Sequence, residues 1–168
     1  MKRKNLWILV GIPGSGKSTW AKREANKETD IIISRDEIRF SLLNENDEYF
    51  SKEKLVWKTF IKEIQKAIDE NKENIFIDAT HLNRINRDKV QNALNIPDHY
   101  NVYAACFITP LDVCLERNAG RTGRAFVPEE VIRDMKIHQY TIPCANEEFT
   151  DVFLIDENLN NLGPVQKR

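Results

Sequence analysis

The sequence predicts an α/β domain: a parallel sheet with helices on both faces. Three observations predict it. Short apolar, β-branched runs alternate along the chain with stretches of helical periodicity. The first run, Leu6-Trp7-Ile8-Leu9-Val10, empties into a glycine-rich turn followed by a helical stretch. Runs such as Ile31-Ile32-Ile33 are apolar without alternation, which is how strands covered on both faces read.

Taken in order, Leu6 to Val10 is a first buried strand and residues 17–28 a helix. Ile31 to Ile33 is a second strand, with a helix beginning near Ser34. Residues 51–71 carry Trp57, Phe60, Ile61, Ile64, Ala67 and Ile68 at helical spacing, a core stripe. Ile75-Phe76-Ile77 is a third strand ending at Asp78, and a helix follows around 84–94. Asn101 to Thr109 is a fourth strand, with a helix from Leu111 to Asn118 after it. Pro128-Glu129-Glu130 opens another helix, since proline is tolerated in a first turn. Val152 to Ile155 is a last short strand. Residues 1–156 thus form one domain, and the polar 157–168 reads as a loose tail or linker remnant.

With 168 residues the chain suits one domain with a substantial core. Hydrophobic residues at 41% and charged residues at 30% place it among globular rather than disordered chains. A net charge of −1 supplies no general positive field, so any polyanion site must come from a local cluster. Three cysteines without a C-x-x-C pair fit a reducing cytoplasm. No stretch approaches transmembrane length, and the apolar part of the N-terminus is too short for a signal peptide.

Gly11 to Ser18, GIPGSGKS, matches G-x-x-x-x-G-K-[ST] between a strand and a helix. Glycines there let backbone N–H groups turn toward phosphate oxygens, and the helix N-terminus adds its positive dipole end. Gly11, Pro13, Gly14, Ser15, Gly16, Lys17, Ser18 and Thr19 are therefore the expected nucleotide contacts. Lys17 would reach the β- and γ-phosphates and Ser18 would ligate Mg²⁺. This defines a P-loop site for ATP or another nucleoside triphosphate without naming a reaction. Asp78, at the end of the third strand, lies on the sheet edge where ligands of such folds sit, and is the expected second metal-side group. A turn aspartate is the plain alternative.

The second strand runs into Ser34-Arg35-Asp36-Glu37-Ile38-Arg39. A carboxylate at that edge could take a proton from an acceptor hydroxyl, and arginines could hold an anionic acceptor. Ser34-x-x-Glu37 is equally a capping box, which accounts for those two residues and could account for Asp36. It leaves Arg35 and Arg39 unexplained. A second basic cluster, Arg117, Arg121 and Arg124, lies on the break between two helices, with Gly120 and Gly123 as hinges. It suits a lid over residues 117–128, or a solvated basic turn. His81 could line a groove or cap the next segment, the latter being preferred, and Tyr49 and Phe50 stay open.

In order and spacing these pieces resemble the polynucleotide 5′-hydroxyl kinases of phage and bacterial RNA end repair, over about residues 5–140. The matching pieces are GIPGSGKST, IIISRDEIR, DATHLN and ERNAGRTGRAFVPEEVIRDM. The resemblance implies a kinase domain using ATP and Mg²⁺ on a 5′-OH end of RNA or DNA. It implies Asp36 as general base and Arg39 on the acceptor's nearest phosphate, with Arg35, Asp78 and Thr80 on the substrate side. Arg121, with Arg124, would touch the donor phosphates. A homo-oligomer and a phosphatase or ligase partner in end repair are left open. Two other functions compete: a kinase of the same architecture acting on a small-molecule hydroxyl, and a nucleotide-dependent switch. A switch needs no acceptor-side base, so Asp36 and Arg39 count against it.

Overall fold

The computed structural model describes residues 2–165. Its strands are β1 (Lys4–Val10), β2 (Ile31–Ser34), β3 (Asn74–Asp78), β4 (Tyr100–Phe107), β5 (Asp151–Ile155) and β6 (Asn161–Pro164). They form one sheet in the order β2-β3-β1-β4-β5-β6. All neighbours pair in parallel except β5 and β6, which are antiparallel. The helices are α1 (Lys17–Glu24), α2 (Arg35–Leu42), α3 (Glu53–Asp69), α4 (Arg84–Ala93), α5 (Leu111–Ala119) and α6 (Glu129–Asp134). No described helix is long and apolar enough to cross a membrane.

β1 sits between β3 and β4, so both its edges are paired, and helices cover its two faces. Leu6, Ile8 and Val10 join Val56, Phe60 and Ile64 of α3 in one cluster. Leu9 points the other way and packs with Trp20 and Ala21 of α1, Phe76 and Phe107. The period of two along a strand thus feeds two cores from one apolar run. A third cluster of Ile12, Leu82, Cys114 and Ile132 packs the P-loop against α5 and α6. Because β1 to β5 are parallel, their carboxyl ends open onto one edge, and the chemistry-bearing residues collect there.

Local signals explain most boundaries. Ser34 caps α2: its Oγ accepts the Glu37 N–H at 3.2 Å. α1 stops at Glu24, four residues short of expectation. Asn26 ends it, taking the backbone N–H of Glu28 on its side chain and that of Asp30 on its carbonyl. β4 stops at Phe107 rather than Thr109. Thr109 instead donates its hydroxyl to the Ser15 carbonyl at 2.7 Å, tying the strand end to the P-loop.

The loose tail expected over 157–168 is corrected within the described residues. Asn161–Pro164 adds an antiparallel strand to the exposed edge of β5, after a turn fastened by Asp156. Residues 166–168 of that tail lie outside the described residues.

Candidate active site

The P-loop takes its shape from two glycines. Gly14 (φ 84°) and Gly16 (φ 100°) are left-handed, a region that costs any residue with a Cβ. A Cβ on Gly14 would also lie 2.5 Å from the Cys114 carbonyl oxygen. The loop therefore delivers Lys17 into the site as the first residue of α1. Lys17 is buried and donates to the Ile12 carbonyl at 3.0 Å. Burial lowers its pKa and nearby Arg121 adds to this, while Asp78 and Asp36 oppose both. Asp78, Asp36 and Arg121 therefore all lie close enough to act on the Lys17 charge.

Ser18 Oγ donates to Asp78 Oδ2 at 2.6 Å. A hydroxyl and a carboxylate side by side at the P-loop exit are oxygen donors of the kind that Mg²⁺ takes. Ser15 Oγ is buried in the loop without a partner among the described residues, a polar atom that a phosphate oxygen would satisfy. The residues present thus fit a nucleoside triphosphate with its magnesium. Thr80 closes the loop from behind: its carbonyl accepts the Gly11 N–H at 3.0 Å.

Beside the P-loop lies a cavity of about 450 Å³ lined by Gly14, Gly16, Thr19, Arg117, Arg121 and the turn 157–159. Arg117 braces it, donating to the Gly14 carbonyl (3.2 Å) and to the Glu157 carbonyl (2.8 Å). Arg23 reaches from α1 to the Leu159 carbonyl. The β5–β6 turn is therefore a wall of this cavity beside the P-loop. Nothing in its polar composition signalled this, because the signal is the edge pairing of β6.

Asp36 stands on the first turn of α2 with its side chain 60% exposed. Only Oδ1 is engaged: it accepts from Tyr49 Oη at 2.6 Å and from Arg39 Nη1. Oδ2 has no hydrogen-bond partner among the described residues and stays available. Burial and the Asp36 carboxylate, which takes its hydroxyl proton in a hydrogen bond, both raise the Tyr49 pKa. Tyr49 thus remains a donor.

Arg39 was expected on the acceptor's nearest phosphate. Rather than facing an acceptor phosphate, its side chain is 6% exposed and turned inward. Nε and Nη2 donate to Glu53 at 3.1 and 2.7 Å, while Nη1 serves Asp36 and Tyr49 at once. Burial alone would lower its pKa, but the Glu53 bond and the surrounding carboxylates outweigh that and raise it. The physical reason is Glu53, on the first turn of α3, which fixes both arginines. Arg35 donates to it at 2.7 Å and lies 5.4 Å from the Trp57 ring centroid. Sequence reasoning missed Glu53; its place at the start of an amphipathic helix was the one available signal.

Arg124 was expected on the donor phosphates; its Nη2 donates to the carbonyls of Asn44 (2.6 Å), Glu45 (2.9 Å) and Asp47 (3.3 Å). His81 is neither a cap nor exposed. It is 4% exposed at φ 44°, and Asn83 is the N-cap of α4. Its Nδ1 lies 2.7 Å from the Leu9 carbonyl, so Nδ1 carries the proton and Nε2 is a buried acceptor without a partner among the described residues. Burial, and then the charges of Arg35, Lys17 and Arg87, push its pKa down to about 4 despite that bond.

A P-loop on a parallel sheet, with a carboxylate and an arginine-bearing segment on the same edge, is the fold of the P-loop kinases. The chain belongs to the AAA domain family, which matches residues 6–140. An L-seryl-tRNA(Sec) kinase from Methanococcus maripaludis is 33% identical over 142 residues, covering 77% of this chain and 50% of that protein. A chain in the structure of the Pnkp1/Rnl/Hen1 RNA repair complex superposes with a TM-score of 0.64 at 21% identity, covering 91% of this chain and 52% of that one. An unliganded sugar kinase from Janibacter gives 0.62 at 17%, covering 94% and 87%. This chain spans about half the length of the first two.

Proposed function

We propose that this chain transfers the γ-phosphoryl group of ATP, or another nucleoside triphosphate, to the 5′-hydroxyl of RNA or DNA. The observation that carries the kinase chemistry is the tether on Asp36: Oδ1 is held by Tyr49 and Arg39, and Oδ2 is left to accept a proton. The acceptor O–H gives its proton to Oδ2 as the oxygen attacks the γ-phosphorus. The bond to the β-phosphate oxygen breaks, ADP leaves, and Asp36 returns the proton to water. Lys17 and the P-loop amides hold the triphosphate, and Arg121 meets the charge that develops on the transferred group. A magnesium ion held at Ser18 and Asp78 would neutralise the β- and γ-phosphate oxygens. The acceptor class is supported by the R-D-x-x-R spacing in the sequence and by likeness to an RNA repair assembly.

One observation favours a second reading. Arg39 is occupied by Glu53, Asp36 and Tyr49, so its guanidinium is not free to take a phosphate beside the acceptor hydroxyl. An acceptor without that phosphate, such as a sugar or a seryl group carried on tRNA, suits this better. The test offers Mg-ATP labelled at the γ-phosphate to a 5′-OH oligoribonucleotide, its DNA counterpart, seryl-tRNA, a nucleoside and sugar panel, and buffer alone. Label on the 5′-OH ends is expected. Label only on the panel or on seryl-tRNA hands the assignment to the second reading, and release of phosphate alone would mean a switch or ATPase.

A further inference from the structure

The donor and acceptor sides of this site are linked by a contact that neither chemistry requires. Arg124 lies in the short 3₁₀ turn Gly123–Ala125, on the segment that carries Arg121. One of its nitrogens reaches three carbonyls of the loop between α2 and α3: Asn44, Glu45 and Asp47. That nitrogen has only two hydrogens, so the three oxygens form a nest around a single group. The loop is built to present them. Asp47 N–H donates to the Asn44 carbonyl at 3.1 Å, and the Asp47 carboxylate takes the Asn44 N–H at 2.8 Å. Lys52 fastens the loop from inside, donating to the Leu42 carbonyl at 2.7 Å and pairing with Asp47 at 3.2 Å.

The same loop carries Tyr49, whose hydroxyl holds Asp36 Oδ1 and whose ring lies 4.4 Å beneath the Arg39 guanidinium. A continuous path therefore runs from Arg124 through the 44–47 turn and Tyr49 to the free carboxylate oxygen. We infer that Arg124 is a positioning residue, coupling the lid segment that bears Arg121 to the loop that orients Asp36. Nucleotide binding on one side then tightens the base on the other. The inference rests on the kinase reading above. It explains why a lid arginine turns away from the triphosphate: its role is to carry the lid's position across to the acceptor loop. Coupling of this kind between two sites is commonly worth a 5- to 150-fold change.

The experiment is amide hydrogen exchange on the full chain, with and without a non-hydrolysable Mg-ATP analogue. The amide of Asp47 is the reporter, because it donates to the carbonyl that also takes Arg124. In the unchanged protein the analogue should slow exchange at Gly11–Ser18 and also, by about 5- to 20-fold, across 44–50. Arg124→Ala should keep the first effect and lose the second, with its melting temperature unchanged, since the residue sits on a surface segment. Tyr49→Phe should keep both, because it breaks the path only beyond the turn. Protection at 44–50 that survives Arg124→Ala overturns the coupling, as does protection confined to Gly11–Ser18 in the unchanged protein. No protection at Gly11–Ser18 would instead sink the nucleotide-site reading, and the coupling with it.

Discussion

Removing Arg87 should be among the most damaging single changes in this protein. Its side chain is fully buried, and all five of its N–H groups are used. Nε and Nη2 donate to the two oxygens of Glu147 at 2.8 and 3.1 Å. Nη1 donates to the carbonyls of His81 (3.0 Å) and Thr141 (2.9 Å), and Nη2 also to Thr141 Oγ1 at 3.1 Å. It therefore pins the loop after β3, which carries Asp78, to the segment 141–147. Burial alone would raise the Glu147 pKa, but the Arg87 bonds hold it below the ordinary carboxylate value. Arg87→Met leaves that carboxylate, 1% exposed, without a counter-charge. Breaking one partner of a buried pair costs about 3–5 kcal/mol, a large part of the roughly 5–15 kcal/mol that holds a domain folded. At about 2–4 °C per kcal/mol for a chain of this size, the melting temperature should fall by roughly 6–20 °C. The double change Arg87→Met with Glu147→Leu removes the stranded charge and should recover part of the loss. The remainder reflects the His81 and Thr141 carbonyls left without the guanidinium. Urea unfolding of all three proteins measures this. A loss under about 1 kcal/mol in the single variant, or a double variant no better than the single, would refute the reasoning.

Lys17→Ala should abolish γ-phosphoryl transfer by stripping charge from the β- and γ-phosphates; near-normal turnover in the labelled-ATP assay would remove the nucleotide site itself. Asp36→Asn should cut kcat by about 10²- to 10⁴-fold with nucleotide still bound, read by rapid-quench turnover beside an ATP-analogue titration. Loss of stability without loss of rate would reduce the residue to a helix-start aspartate. Arg121→Ala should slow transfer by about ten- to a thousand-fold and leave melting unchanged; early melting with normal turnover would mark a structural arginine instead. His81 makes stability depend on acid. The unfolded chain takes up its proton near pH 6.5, but the folded chain refuses it until about pH 4, so stability falls as pH drops through that window. The loss should reach about 3 kcal/mol, and His81→Asn should flatten the profile in urea titrations between pH 7 and 4. An unchanged slope in that variant would assign the acid loss to the carboxylate pairs.

Some of this site could be read directly from residue order because its causes are local. The glycines of the P-loop dictate left-handed backbone at Gly14 and Gly16, and a strand before and a helix after leave Lys17 one place to go. Ser34 caps its helix through a bond spanning three residues, and Asp78 lies at a strand's end because the apolar run stops there. Parallel pairing then carries Asp36 and Asp78 to one edge, which strand–helix alternation already implied. The fate of the arginines was not legible. A guanidinium goes to whichever acceptors the fold brings within about 3 Å, and those come from distant segments: Glu53 for Arg35 and Arg39, the 44–47 carbonyls for Arg124, Glu147 for Arg87. The last strand was hidden for a related reason. Asn161–Pro164 has no apolar alternation to announce it, and it is a strand because the open edge of β5 offers unpaired backbone groups that its own groups can meet. Local geometry is written in neighbouring residues, whereas long polar side chains and edge strands take their partners from the assembled fold.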